Sequence, residues 1–457
     1  MIESVDRFQP RGLYVIAATE AWERFSYYGM SALVMLYMVQ SLFQPGSIDS
    51  VYGLGTLRDA LEAIYGPLSN QALASQLFGF YAGLVYLTPL IGGFLADRLI
   101  GIRMAVVAGL VLLACGHLMM TFDETFLVAL GCLVCGSGLV KGNLSAQLGK
   151  LYPDSDQTRR TRGFALLAMM VNLGAMGGPL ICGAVAESYG WHAAFGIAAA
   201  LMAIGLATYL GGMRTLPRDL ERKSVHQRNS LSRTDRASVV ILIAVMIVAL
   251  FQAIVYSQLF NVGIVWIEDH VERHTSLGSI PTPWFNSIDA LASVLSAPLL
   301  ILLWRIQASR AKEPDFLHKI AIGAALTLLQ VLLLALASSL AGPDKVNAFV
   351  VVLVLVGAGI AFNYHWPPLI ALLSIAAPPA VNAMMINSAF LIFFVGNVVA
   401  GQLGILYEPL GPAAFWMLHA AVAATGLIMT LTLREIVLRR RWPVLCPSGN
   451  DQPVHRR

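Results

Sequence analysis

Residues 20–29 read Glu20-Ala-Trp-Glu23-Arg24-Phe-Ser-Tyr27-Tyr28-Gly29, inside a stretch otherwise apolar enough to cross a bilayer. Full charges near mid-membrane are costly, so a chain that keeps three of them there has a use for them. On a helix, Glu20, Glu23, Arg24, Tyr27 and Tyr28 follow the i, i+3, i+4, i+7, i+8 spacing that gathers them on one stripe. Such a stripe can pair its charges internally and still offer them to an ion or a solute. The competing explanation is a structural ion pair between helices. That pair needs one acid and one base, and here a second acid is left over.

Working outward, the 457 residues are 57% hydrophobic and 12% charged, with a mean hydropathy of +0.70. Neither a soluble globular chain nor a disordered one has this composition. Apolar stretches of roughly 20 residues recur along the whole length, the signature of a helical membrane protein. Cys132 and Cys135 form a CxxC, but beside Gly136 and Gly138 in an apolar helix they read as small packing residues. The polar start is not followed by a short apolar core and cleavage site, so the first helix is expected to stay as an anchor. There is no zinc-type histidine pair, GxSxG elbow or GxxxxGK[ST] loop in the sequence. Hydrolysis and ATP coupling therefore have no visible basis, and an enzyme is not expected.

Apolar length and breaker residues predict about twelve spans. The first six lie near 13–42, 73–97, 103–122, 125–150, 161–187 and 191–213. The second six lie near 237–267, 283–306, 317–340, 346–375, 380–407 and 412–434. The expected organisation is a six-helix bundle over 1–213, a basic linker over 214–236, a second bundle over 237–436 and a basic tail over 437–457. One set of loops carries Arg98 and Arg103, Lys150 to Arg162, the linker, Arg305 to Lys319 and the tail. The opposite set carries mostly acids, among them Asp49, Glu62, Asp123, Glu124, Glu187, Glu268 and Glu408. Positive loops stay cytoplasmic, so both termini are expected inside, which agrees with an even number of spans.

Six plus six around a basic linker is similar to the plan of the major facilitator transporters, whose site lies at mid-membrane between the halves. The loop Gly92-Gly93-Phe-Leu-Ala-Asp97-Arg98-Leu-Ile-Gly101-Ile-Arg103 resembles that superfamily's signature. Its glycines permit close helix approach, while Asp97, Arg98 and Arg103 can clamp neighbouring helix ends, a structural or gating task. The first-helix run then resembles the complete ExxERFxYYG signature of the proton-dependent oligopeptide transporters. Supporting matches are Gly138-Leu-Val-Lys141-Gly-Asn143-Leu-Ser145, Tyr81 to Pro89, Pro283-Trp284-Phe285, and Pro367 to Pro378. The resemblance implies an all-α membrane protein of twelve helices in two halves that imports di- and tripeptides with protons as the coupling ion and no other cofactor. A bacterial cytoplasmic membrane, a functional monomer, and the lipid bilayer and small peptides as partners, with no nucleic acid, follow from the same likeness.

A peptide zwitterion needs a cation for its carboxylate and an acid or acceptor for its ammonium group. Arg24 and Lys141 suit the first role, since a guanidinium forks a carboxylate and a lysine acts as a point charge. Lys141 has a second reading, pairing with an acid on another helix, and the two roles can alternate. Tyr27, Tyr28 and Tyr81 can bond peptide carbonyls or simply pack. Asn172 stands where the family has a fifth-helix asparagine, though Leu167-Ala168 replaces the aromatic pair that precedes it there. Gln258 stands in the matching seventh-helix segment. Glu20 and Glu23, beside Arg24, are the candidate proton carriers. Low dielectric opposes ionisation of a carboxyl and a guanidinium favours it, so a group balanced between the two can switch.

The second half departs from the family pattern. Ser257 stands where a glutamate normally precedes Gln258, and Phe362 stands where the tenth helix normally carries an acid five residues before its proline. Asp289 replaces an asparagine. Either Asp289 is a relocated partner for the peptide's amine, or the ligand lacks a free amine, or Asp289 is a helix-end residue. His365, before Trp366-Pro367-Pro368, is either a packing residue or one that borders a cavity, as broken helices often do. The linker is too short for the two extra helices usual in bacterial members. A proton-driven exporter of drugs or modified peptides, and a non-transporting peptide sensor, remain as alternatives.

Overall fold

The computed structural model describes residues 9–153, 155–217, 232–276, 278–342 and 344–439. Most of the expected linker, 218–231, and the tail from 440 onward lie outside the described residues. Contacts divide the chain into two compact units. One comprises Met1–Ser224 with His274–Ser287, and the other Val225–Arg273 with Ile288–Arg457.

The first unit holds seven helices: α1 (Arg11–Tyr37), α2 (Leu54–Tyr65), α3 (Asn70–Leu95), α4 (Ile102–Met119), α5 (Phe126–Gly149), α6 (Gln157–Tyr189) and α7 (Trp191–Gly212). Among them α1 packs on α6 and α7, α4 on α5 and α7, and α3 on α5. The short α2 was not expected from hydropathy. It is pinned by Arg58 Nε donating to Glu62 Oε1 at 2.8 Å, an oxygen that also accepts from the Leu68 N–H at 3.2 Å. These two bonds, Arg58's first, hold the Glu62 carboxyl below its usual range.

Glycines set how closely the first unit's helices approach. A Cβ added at Gly174 of α6 would lie 2.5 Å from Arg24 Cβ and 2.8 Å from the Phe25 nitrogen, and one at Gly178 would lie 2.7 Å from the Gly29 nitrogen. Small residues one turn apart thus seat α6 directly on the charged turn of α1. Likewise Gly138 of α5 faces Thr88 of α3 at 2.7 Å from where its Cβ would be, and Thr88 Oγ1 donates to the Val134 carbonyl at 3.0 Å.

The second unit holds α8 (Arg233–Phe260), α9 (Val262–His270), α10 (Asn286–Ser309, entering this unit at Ile288), α11 (Phe316–Ala341), α12 (Ala348–Ala376), α13 (Asn382–Ser388), α14 (Phe390–Leu403) and α15 (Tyr407–Arg439). Here α11 packs on α12 and α15, and α8 on α14 and α15. Ten helical segments among the described residues are long and apolar enough to span a membrane. The longest, Asn382–Arg439, runs through Gly411, whose φ of 73° breaks it into two. The charged α1 is the remaining span.

The structure corrects several details of the sequence reading. The seventh span is not continuous, because Asn261 (φ −96°, ψ −99°) interrupts it between α8 and α9. The α-helix bearing Asp289 starts at Asn286, after a 3₁₀ turn over Thr282–Phe285, so Asp289 lies in its first turn. Cys135 is exposed and Cys132 half-buried, with both thiols free, so Cys135 does not serve as a packing residue. Two-residue strands form two small pairs, Val271–Glu272 with Val346–Asn347 and His274–Thr275 with Gly278–Ser279.

Candidate functional site

The charged turn of α1 is buried. Glu20, Glu23 and Arg24 are 5%, 1% and 5% exposed. Arg24 Nε stands 2.8 Å from Glu20 Oε1, one helical turn away, and 2.6 Å from Glu23 Oε2. The first contact is an aligned hydrogen bond. The second is a charge contact without hydrogen-bond alignment, so both Glu23 oxygens lack a hydrogen-bond partner. One guanidinium therefore serves two carboxylates, and Glu23 is the less satisfied of them. An unsatisfied buried carboxylate is a group poised to take a proton or a new donor.

Lys141 of α5 supplies a second basic side chain near this turn. It is half-buried and lies within electrostatic reach of Arg24, Glu23 and Glu20. Among the described residues it makes no ion pair. Instead its Nζ stands over the rings of Tyr27 at 4.7 Å and Tyr86 at 5.0 Å. An ammonium held by aromatic faces keeps its N–H donors for another acceptor. Arg24 lies 5.8 Å from the same Tyr27 ring, and Tyr27 meets Tyr28 edge to face at 5.1 Å. Tyr81 is buried at 3% exposure. Asn172 turns its amide back to the Ala168 carbonyl at 3.0 Å.

Tyr86 was missed by the sequence reading. It lies within the quoted segment from Tyr81 to Pro89, five residues beyond the tyrosine singled out there. No spacing rule within α3 alone distinguishes the two, because the distinguishing partner, Lys141, sits on another helix.

Within the second unit, Asp289 is 7% exposed and accepts the Tyr256 hydroxyl at 2.7 Å on Oδ2, while Oδ1 has no hydrogen-bond partner. Phe362, at the position of the lost acid, packs its ring 5.6 Å from that of Tyr256. An aromatic contact thus lies beside the buried Asp289 carboxylate's tyrosine partner. Ser257 is buried, and Gln258 is fully buried with no hydrogen bond to its side-chain amide. Asn363 donates to the Ser293 carbonyl at 2.7 Å and to Ser296 Oγ at 3.0 Å, fixing α12 against α10.

At the end of α3, Asp97 and Arg98 are exposed in a π-helical turn over Ala96–Ile100, with Arg98 near the Phe94 ring at 5.9 Å. The arginine that holds a neighbouring helix end is Arg103, which donates to the carbonyls of Pro217, at 2.7 Å, and Leu216.

Residues 103–231 match the family model PTR2, described as the POT family. The chain is 26% identical over 470 residues to the peptide transporter YePEPT of Yersinia enterocolitica, an alignment covering 86% of this chain and 87% of that protein. It is 34% identical over 246 residues to a di-/tripeptide transporter of Lactococcus lactis, spanning 53% of this chain and 45% of that one. Among solved structures, a POT family transporter in complex with 5-aminolevulinic acid has a TM-score of 0.80 at 26% identity, covering 94% of this chain and 97% of that one. A mutant peptide transporter POT in complex with alafosfalin has a TM-score of 0.82 at 23% identity, covering 95% and 96%. The fold matches that of these solved transporters, with twelve membrane helices among the described residues, six in each unit. By its first-helix motif, its matched segment and its relatives, the chain is similar to transporters of the POT family, and its long apolar helices make it an integral membrane protein.

Proposed function

We propose that this protein is a proton-coupled symporter that imports di- and tripeptides or peptide-like solutes, with both termini in the cytoplasm. The observation that carries the reading is Arg24 bound to two buried acids while Lys141 stands nearby without an ion pair. In the resting arrangement Arg24 is held by Glu20 and Glu23. When an acid takes a proton, its hold on the guanidinium weakens and Arg24, with Lys141, can receive a substrate carboxylate. Release of that carboxylate returns the arginine to the acids and favours loss of the proton. The likeness to a peptide transporter and to a di-/tripeptide transporter supports the substrate class.

The second unit supports two versions of the substrate. Asp289, with one oxygen unpartnered, suits an ammonium group. Loss of the acids at Ser257 and Phe362 suits a ligand whose amine is blocked or absent. The free oxygen favours the first version.

Proteoliposomes carrying the purified protein and an imposed pH gradient test the function. A labelled dipeptide should accumulate on the alkaline side. Accumulation of drugs or modified peptides on the acidic side would make it an exporter, and binding without movement would make it a sensor.

A further inference from the structure

A small cavity lies inside the second unit, with about 10 Å³ of space for a water centre, room for one molecule. Its polar lining comes from four helices: Gln252 of α8, Thr327 of α11, His365 of α12 and Thr430 of α15. The rest is alanine, glycine, valine and isoleucine. His365 is 4% exposed, and neither of its ring nitrogens has a hydrogen-bond partner. Gln252 is 7% exposed, and its Oε1 has none either.

The lining offers both donors and acceptors. Thr327 donates its hydroxyl to the Gly323 carbonyl at 3.0 Å and Thr430 donates to Gly426 at 2.7 Å, so towards the cavity both can only accept. A neutral imidazole offers one N–H and one lone pair, and a glutamine amide one oxygen and one NH2 group. The lining thus presents the amide oxygen, two hydroxyl oxygens and one ring nitrogen as acceptors, with the ring N–H and the Gln252 NH2 as donors. Immediately beyond, Pro367 and Pro368 lie inside α12, removing the helix donors that would serve the Asn363 and Tyr364 carbonyls. A small molecule that both donates and accepts fits this lining.

A charged occupant has no counter-ion in the lining. None of the ionisable groups on the surrounding helices other than His365 lines the cavity. Asp289 of α10 takes the Tyr256 hydroxyl of α8, and Lys319 of α11 pairs with Glu313 over the Trp304 ring. On α15, His419 shares a hydrogen bond with the Phe415 carbonyl and Arg434 pairs with Asp315. A full charge buried without a partner is strongly disfavoured.

We propose that the cavity binds one water molecule as a double donor, to Gln252 Oε1 and to the unprotonated ring nitrogen of His365. The water ties the seventh span to the tenth on the turn before the double proline. This site is separate from the first-helix acids and stands whether or not those acids carry the coupling proton.

The test uses the full chain in a bilayer with ¹⁵N-labelled histidine, following magnetisation transfer from water to the ring nitrogens. The His365 signal is assigned by its absence from both His365→Gln and His365→Asn. The expected result is strong transfer to His365, unchanged when choline replaces sodium, with the ring carrying one proton at neutral pH. Ala324→Leu, which fills the space, should abolish that transfer and leave the other histidine signals in place. No transfer in the wild-type protein would mean a dry cavity and overturn the proposal. A His365 shift that follows sodium concentration would make the site a cation site, and a doubly protonated ring would make the proton the occupant; either overturns it too. Persistent transfer in a folded Ala324→Leu protein would place the water elsewhere and have the same effect.

Discussion

The charged turn of α1 and the region around Asp289 are both buried in membrane-spanning helices, yet they handle charge differently. In the first, Arg24 touches two carboxylates, and Lys141 of a neighbouring helix stands over the Tyr27 ring close by. In the second, one carboxylate is met by a neutral tyrosine hydroxyl, and an aromatic ring stands where the family places another acid. A closed set of opposite charges can exchange partners at little cost, which suits coupling. A lone acid with a spare oxygen can be answered by a cationic ligand, which suits recognition.

Removing the shared cation should have the largest effect. Arg24→Ala strands two buried acids and should lower unfolding stability by about 3–5 kcal/mol, with uptake and exchange both falling to background. A variant of near wild-type stability would mean that the acids are not jointly held by Arg24. Next, Asp289→Asn should weaken binding of a free-amine dipeptide by about 1.5–3 kcal/mol, the scale of one charged hydrogen bond. An amino-blocked analogue, measured by the same ligand-induced thermal shift, should be nearly unaffected. Equal losses for both ligands would make Asp289 structural. Tighter binding of the blocked analogue by the wild-type protein would turn the substrate towards modified peptides.

Helix approach gives a smaller lever. Gly174→Ala places a methyl 2.5 Å from Arg24 Cβ, so a shift of α6 costing about 1–3 kcal/mol is expected in denaturant unfolding. An unchanged midpoint would show that α1 and α6 have slack at this turn. The smallest effect belongs to Tyr256→Phe, which removes a hydrogen bond from Asp289 and should change free-amine peptide affinity by about 0.5–1.5 kcal/mol. A loss larger than that of Asp289→Asn would make the tyrosine, and not the acid, the principal contact.

Much of the fold was legible because lipid allows few solutions. Long apolar runs must be helices, and their ends are marked by charge and by residues such as Gly101 and Gly190. The break at Asn261 was not legible, since apolar residues continue on both sides of it and hydropathy cannot register one non-helical residue. The α1 cluster could be read because its members share one helix at helical spacing. Tyr86 and Tyr256 could not, because what distinguishes them is a partner on another helix, Lys141 for one and Asp289 for the other. The loop motif gave Arg103 its clamping role but not its partners, carbonyls that lie 113 and 114 positions away.

The most direct test of the division of labour measures dipeptide accumulation and dipeptide exchange on the same proteoliposomes, for wild type, Glu20→Gln and Glu23→Gln. If the first-helix acids carry the coupling proton, at least one glutamine variant should lose accumulation driven by the pH gradient while still exchanging labelled for unlabelled peptide. If both variants concentrate the peptide as wild type does, the proton is carried elsewhere and the account of the α1 cluster is wrong.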